Sequence, residues 1–269
     1  IIIALHLLFR KRYIWLVGLA FAFTWLYNGF ILLPAIVFLY VISVFITERR
    51  IIWQALAFAI LGTILGLVIN PYFPQNISFI INHLGEKVNL ESNIRVGSEW
   101  YPYTTGALMQ NSLGALLLMV LGFLAPSFRK SGRDQVETTL LLVALITLYM
   151  MFESRRFVEY FPAFALLFGS VAIGRRDIQW ANYLPNIMNK KILYRFYLFM
   201  FAMSVFFLIG RTVSMARQDV KNAEDVSYMA GASEWLKNNT EPKSLVFQTD
   251  WDDFTYLYFF NTHNTYLVG

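Results

Sequence analysis

Seven apolar stretches run along the chain, near Tyr13 to Leu26, Phe30 to Ile46, Ile51 to Ile69, Leu113 to Ala125, Thr138 to Phe152, Phe157 to Ile173 and Ile192 to Ile209. The polar gaps between them alternate in kind. Lys and Arg cluster in every second gap, at Arg10-Lys11-Arg12, Arg49-Arg50, Arg129-Lys130 with Arg133, and Arg175-Arg176 through Lys190-Lys191 to Arg195. The intervening gaps are acidic and aromatic. This is the positive-inside pattern of a polytopic membrane protein, and with the basic gaps inside all seven runs alternate without conflict. Several runs fall short of the roughly 20 residues of a bilayer crossing, which predicts tilt, local thinning or cover by neighbouring helices. The Tyr27-Asn28-Gly29 break predicts a tight outer turn; a single kinked helix would put Arg12 and Arg49 on opposite sides.

The pattern predicts an all-α polytopic membrane domain over residues 1–212, with about seven full spans, a partial one, and an outer loop at 70–111. Residues 213–269 predict the start of an extracytoplasmic α/β domain. Composition agrees: at 57% hydrophobic and 14% charged, a soluble chain of 269 residues would carry more apolar surface than it could bury. The net charge of +5 does not point to nucleic acid, because more than half of the 22 Lys and Arg lie in the four basic gaps. Cysteine is absent, which excludes disulfides, thiolate catalysis and Cys-ligated metals. The chain opens without Met inside the short run Ile1 to Phe9 and closes at Gly269 just after a strand-like run. The expectation is a fragment lacking N-terminal helices and most of a C-terminal domain.

The outer segments carry the candidate chemistry. The first opens Asn70-Pro71-Tyr72-Phe73-Pro74, where two prolines stop a helix, and continues through Ile77 to Leu84 as a short helix lying on the membrane surface. It ends Glu99-Trp100-Tyr101-Pro102-Tyr103. Tyr72, Trp100 and Tyr101 suit the C–H faces of a sugar, and an interfacial aromatic belt has the same composition. His83 has no spaced partner, although Glu91 and Glu99 are its acid companions in the segment. Glu99 is a weak candidate for a catalytic acid or base.

The run Glu153-Ser154-Arg155-Arg156-Phe157-Val158-Glu159-Tyr160-Phe161-Pro162 puts two arginines at an outer junction, against the local charge rule. Guanidinium forks match phosphate oxygens, and a polyprenyl phosphate presents its phosphate at headgroup depth. The alternative is internal pairing of Arg155 with Glu159 and Arg156 with Glu153. In the tail, Ala223 to Asn239 reads as a helix, Ser244 to Thr249 and Thr265 to Val268 as strands. Asp250-Trp251-Asp252-Asp253-Phe254 follows the first strand, where α/β sheets bind ligands. Asp250, Asp252 and Asp253 are weak candidates for a divalent cation, the one candidate cofactor; a capping or hinge role is the alternative. No phosphate-binding glycine loop, His-Glu-x-x-His or nucleophile elbow is present. Gly18, Gly62, Gly66, Gly114 and Gly122 lie in apolar runs, where close helix packing explains them.

Two places resemble membrane glycosyltransferases of the GT-C type. The run from Arg156-Phe157 through Pro162 to Leu167 is similar to a segment of bacterial relatives of the protein O-mannosyltransferases. The stretch Ala232 to Thr240, followed by Val246 to Phe254, is similar to the start of the soluble domain of oligosaccharyltransferase catalytic subunits. The resemblance implies sugar transfer from a polyprenyl-phosphate donor to a glycan, lipid or protein acceptor at the outer face of a bacterial or archaeal inner membrane, with the C-terminal domain outside. It implies a catalytic acid in a first outer loop ahead of these residues, Arg155 and Arg156 on the donor phosphate, and Trp251, Asp252 and Asp253 near the acceptor. The family's turn is Trp-Trp-Asp-Tyr-Gly, and the single Trp251 with no glycine departs from it. A transporter or flippase of lipid-linked glycans is a second reading, weakened because no charge lies in the middle of any run and no long polar path leads from outside to inside. A non-catalytic glycan-binding partner is a third.

Overall fold

The computed structural model describes residues 1–88, 100–128, 132–174, 190–250 and 252–267. It is mostly helical: α1 (Ile2–Phe9), α2 (Trp15–Leu26), α3 (Leu32–Glu48), α4 (Trp53–Val68), α5 (Gln75–Val88), α6 (Thr105–Leu124), α7 (Gln135–Glu153), α8 (Phe161–Ile173), α9 (Lys190–Asn222), α10 (Ala230–Asn239) and α11 (Asp253–Phe260). Strands β1 (Leu245–Val246) and β2 (Thr265–Tyr266) pair in parallel on either side of α11. Packing divides the chain into two units, Ile1–Leu184 and Pro185–Gly269, so α9 groups with the C-terminal segment.

Among the described residues four helical segments are long and apolar enough to cross a membrane: Thr105–Ser127, Gln135–Glu153, Arg155–Ile173 and Leu198–Asn222. They mark a membrane protein. The apolar helices α2, α3 and α4 are shorter, at 12, 17 and 16 residues. Apolar side chains stay exposed on the long helices, among them Leu121 at 56% and Phe206 at 73%, as expected where lipid is the solvent.

The Tyr27-Asn28-Gly29 break is a turn. Tyr27 is extended (φ −148°, ψ 126°), and the Phe30 N–H closes on the Tyr27 carbonyl at 3.2 Å. Helix α3 then runs back along α2, so that the Tyr13 and Tyr40 hydroxyls share a hydrogen bond of 2.8 Å. Helices α6 and α7 start where side chains cap them. Thr104 Oγ1 accepts from the Ala107 N–H at 3.4 Å, and Asp134 Oδ1 from the Glu137 N–H at 2.9 Å.

Glycine sets the helix spacing in the first unit. Helix α2 packs most extensively on α4, and the two run parallel: Gly62 meets Val17, and Gly66 meets Phe21 and Thr24. A Cβ on Gly62 would lie 2.2 Å from the Val17 carbonyl oxygen, and one on Gly66 2.8 Å from Thr24 Cβ. The Trp25 Nε1–H reaches the Gly66 carbonyl at 2.9 Å through the same gap. Between α6 and α8, a Cβ on Gly122 would lie 2.9 Å from Gly169 Cα. Gly18 and Gly114 face open space, so close packing does not explain them. A buried hydroxyl pair, Ser43 with Thr139 at 2.5 Å, ties α3 to α7.

At the start of α7, Glu137 is fully buried, 3.6 Å from Arg133 Nε. The Arg133 guanidinium also donates to the Phe123 carbonyl at 2.6 Å and lies 4.8 Å from the Phe123 ring centroid, tying the end of α6 to the start of α7.

In the second unit, α10, α11 and the strand pair enclose a small polar core. Asn261 and Asn264 are buried; the Asn261 amide donates to Asn264 Oδ1 at 2.7 Å, and the Asn264 amide to Thr240 Oγ1 at 2.6 Å. The Tyr266 hydroxyl donates to the Asn261 carbonyl at 3.0 Å, and burial pushes its pKa up. Asp225 accepts from the Ser227 N–H at 2.7 Å and from the Ser227 hydroxyl, which holds its carboxyl below the usual range. Helix α11 was not expected, because Asp253-Phe254-Thr255-Tyr256-Leu257-Tyr258-Phe259-Phe260 is too uniformly apolar to display a helical period.

Gly62→Ala should destabilise the protein by about 1–3 kcal/mol, because the Val17 carbonyl belongs to a helix backbone that cannot give way locally. Gly114→Ala should be neutral or slightly stabilising. Unfolding midpoints in detergent check the pair; equal effects would contradict the spacing role of Gly62.

Candidate functional site

Three junctions of the first unit meet at one end: the turn after α2, the segment before α6, and the link from α7 to α8. Helix α7 stops at Ser154, which is extended (φ −149°, ψ 132°), and its hydroxyl accepts from the Arg156 N–H at 3.3 Å. A tight 3-10 turn, Arg155–Glu159, then leads into α8, whose first turn holds Pro162. This local capping places Arg155 and Arg156 next to each other yet gives them different surroundings.

Arg155 is half-buried and anchors the preceding segment. Its backbone N–H donates to the Tyr101 carbonyl at 3.1 Å. Its guanidinium donates to the same carbonyl at 3.3 Å and to the Pro102 carbonyl at 3.5 Å, and lies 5.7 Å from the Tyr103 ring centroid. The internal pairing with Glu159 is not formed. The guanidinium instead serves two carbonyls more than 50 residues earlier in the chain.

Arg156 is exposed, with its guanidinium carbon 5.3 Å from the Trp100 ring centroid. The Tyr27 and Tyr160 hydroxyls hydrogen-bond across this end, and Phe157 packs on Tyr160 at 6.1 Å between centroids. The end thus gathers two cations beside the rings of Trp100, Tyr103 and Tyr160. Tyr27 and Tyr160 were not singled out as site residues in the sequence. Their signal was their place as aromatics at the ends of apolar runs.

Other sequence candidates lie elsewhere. Tyr72 is 75% exposed in the turn after α4, its N–H donating to Asn70 Oδ1 at 3.0 Å, and no described contact links it to Arg155 or Arg156. Glu91, Glu99 and Trp251 lie outside the described residues, as does the side chain of His83, a residue of α5.

In the second unit a cleft of about 490 Å³ opens beside the end of β1, lined by Trp235, Phe247, Gln248, Thr249 and Asp253 among others. Of the acidic run, Asp253 reaches this cleft. Asp250 Oδ1 instead accepts from the Asp252 N–H at 3.1 Å, and Asp253 opens α11, where a carboxylate favours the helix dipole. Among the described residues no three of His, Asp or Glu gather to hold a metal ion, so Asp250, Asp252 and Asp253 do not form the cation site for which they were weak candidates, and Asp253 fits the capping alternative instead. Their run splits between a turn and a helix start.

Arg155→Ala should free the segment from Trp100 to Thr104 at a cost of about 1–2 kcal/mol for two long charge-assisted bonds. Faster amide hydrogen exchange at Tyr103 and Thr104, with exchange in the middle of α7 unchanged, checks this; unchanged exchange at both places would contradict the anchoring role. No protein-family model, curated protein or solved structure matches the chain, so the chemistry of the site rests on these contacts.

Proposed function

We propose that the chain works in a membrane glycosyltransferase similar to the GT-C type, moving a sugar from a polyprenyl-phosphate donor to an acceptor at the outer face of a bacterial or archaeal inner membrane. In this reading all seven apolar runs cross the bilayer, α9 included. The Arg155–Arg156 end and the C-terminal segment face outward. The observation that supports the reading is a pair of adjacent arginines at an aromatic end: Arg155 donates to the Tyr101 and Pro102 carbonyls, and Arg156 is exposed beside the Trp100 ring.

A sugar phosphate needs what this end offers. The acceptor oxygen attacks the anomeric carbon, the bond from that carbon to the phosphate oxygen breaks, and the lipid phosphate leaves with concentrated negative charge. A fixed guanidinium stabilises that charge as it develops. Arg is suited to the task because its planar fork matches phosphate oxygens and its charge is permanent. The rings of Trp100 and Tyr103 offer apolar faces for the sugar. The acceptor's proton passes to a carboxylate; Glu99 is the candidate within this chain, and the resemblance points to an acid in a first outer loop. The bilayer is the donor's solvent, and no nucleic acid takes part.

Arg156→Ala should lower release of polyprenyl phosphate from labelled polyprenyl-phosphate sugars by about 100-fold or more, with the unfolding midpoint unchanged. The assay uses membranes carrying the protein. Undiminished release by a stably folded variant would contradict the assignment. Lipid-linked sugar appearing intact on the opposite leaflet, with no release, would turn the reading to a transporter.

A further inference from the structure

The basic end of the first unit is more than a topology signal. Because α2 and α4 lie parallel and close, the turns that precede them come side by side. They enclose an open cleft of about 530 Å³. Lys11, Arg12 and Arg50 supply its charge, and Ile14, Ile52 and Phe58 its apolar wall. Both helices begin here without a side-chain cap, so the positive ends of two helix dipoles add to the three cations.

Internal neutralisation is incomplete. Glu48 pairs with Arg50 at 2.5 Å, but both side chains remain partly exposed, at 32% and 54%. No ion pair among the described residues engages Lys11 or Arg12. Orienting a membrane protein requires only that cations be numerous in a loop; it does not require that two loops gather them around an apolar wall. Trp15 and Trp53, each about two-thirds exposed, flank the cleft at the first residues of α2 and α4, as aromatics do at headgroup depth.

We propose that this cleft binds the headgroup of an anionic phospholipid, with Lys11, Arg12 and Arg50 on the phosphate and Ile14, Ile52 and Phe58 against the glycerol and upper acyl chains. The apolar wall selects a lipid over a free anion, since inorganic phosphate would gain nothing from it. The site stands at the opposite end of the unit from Arg156 and does not depend on the glycosyltransferase reading.

The test measures lipid binding to the purified full chain by native mass spectrometry, with phosphatidylglycerol, phosphatidylcholine and inorganic phosphate as probes. Phosphatidylglycerol should bind at least about tenfold more tightly than phosphatidylcholine, and Lys11→Gln/Arg12→Gln/Arg50→Gln should abolish the difference. That variant removes cations that also orient the protein. Gln54→Glu keeps every Lys and Arg, places a carboxylate in the cleft, and should weaken phosphatidylglycerol about tenfold. Arg211→Gln/Arg217→Gln/Lys221→Gln on α9 removes equal charge and should leave the preference intact. A preference that survives Gln54→Glu, or that falls equally in the α9 variant, would overturn the site. Inorganic phosphate binding as tightly as the lipid would overturn the lipid assignment.

Discussion

The contact of Gly62 with the Val17 carbonyl is the constraint on which the first unit turns. Lipid gives apolar helices no hydrophobic reason to associate, so they must gain van der Waals contact by close approach. Gly62 and Gly66 allow that approach between α2 and α4, and Gly122 with Gly169 allows it between α6 and α8. Both pairs run parallel. Their starts and ends are therefore brought together two at a time, and the polar gaps they carry become composite surfaces.

The two ends that result differ in chemistry. One collects Lys11, Arg12 and Arg50 beside apolar side chains. The other collects aromatics around two arginines, and there a division of labour follows from geometry. Arg155 lies within reach of two backbone carbonyls and holds the segment that carries Trp100 and Tyr103. Arg156, whose backbone N–H is held by the capping hydroxyl of Ser154, is exposed beside the Trp100 ring and is the side chain proposed to meet the donor phosphate. By holding the Tyr101 and Pro102 carbonyls, Arg155 helps fix the backbone next to Trp100, whose ring lies beside Arg156.

Much of this was legible in the sequence. The break at Tyr27 was readable because Asn28 and Gly29 interrupt an otherwise unbroken apolar run. The apolar runs coincide with helices, though their limits differ: α6 begins at Thr105, well before Leu113, because a Thr104 cap and polar residues extend it beyond the apolar stretch. Gly62, Gly66 and Gly122 were correctly read as packing glycines, whereas nothing local distinguishes Gly18 and Gly114, which meet nothing. The structural role of Arg155 was out of reach, since its acceptors lie more than 50 residues away and are backbone atoms without a sequence signature. For the acidic run, spacing left both a cation site and a capping role open; Asp253 lies in the first turn of α11, which fits the capping role.

The two ends of this unit should face opposite sides of the membrane, and thiol labelling tests that most directly because these 269 residues contain no cysteine. Asn28→Cys lies at the aromatic end and Ile51→Cys at the basic end, and both positions are exposed. With a membrane-impermeant reagent on intact cells, Asn28→Cys should label at once and Ile51→Cys only after permeabilisation. Labelling of both before permeabilisation, or of Ile51→Cys alone, would contradict the arrangement and with it the proposed outward-facing phosphate site.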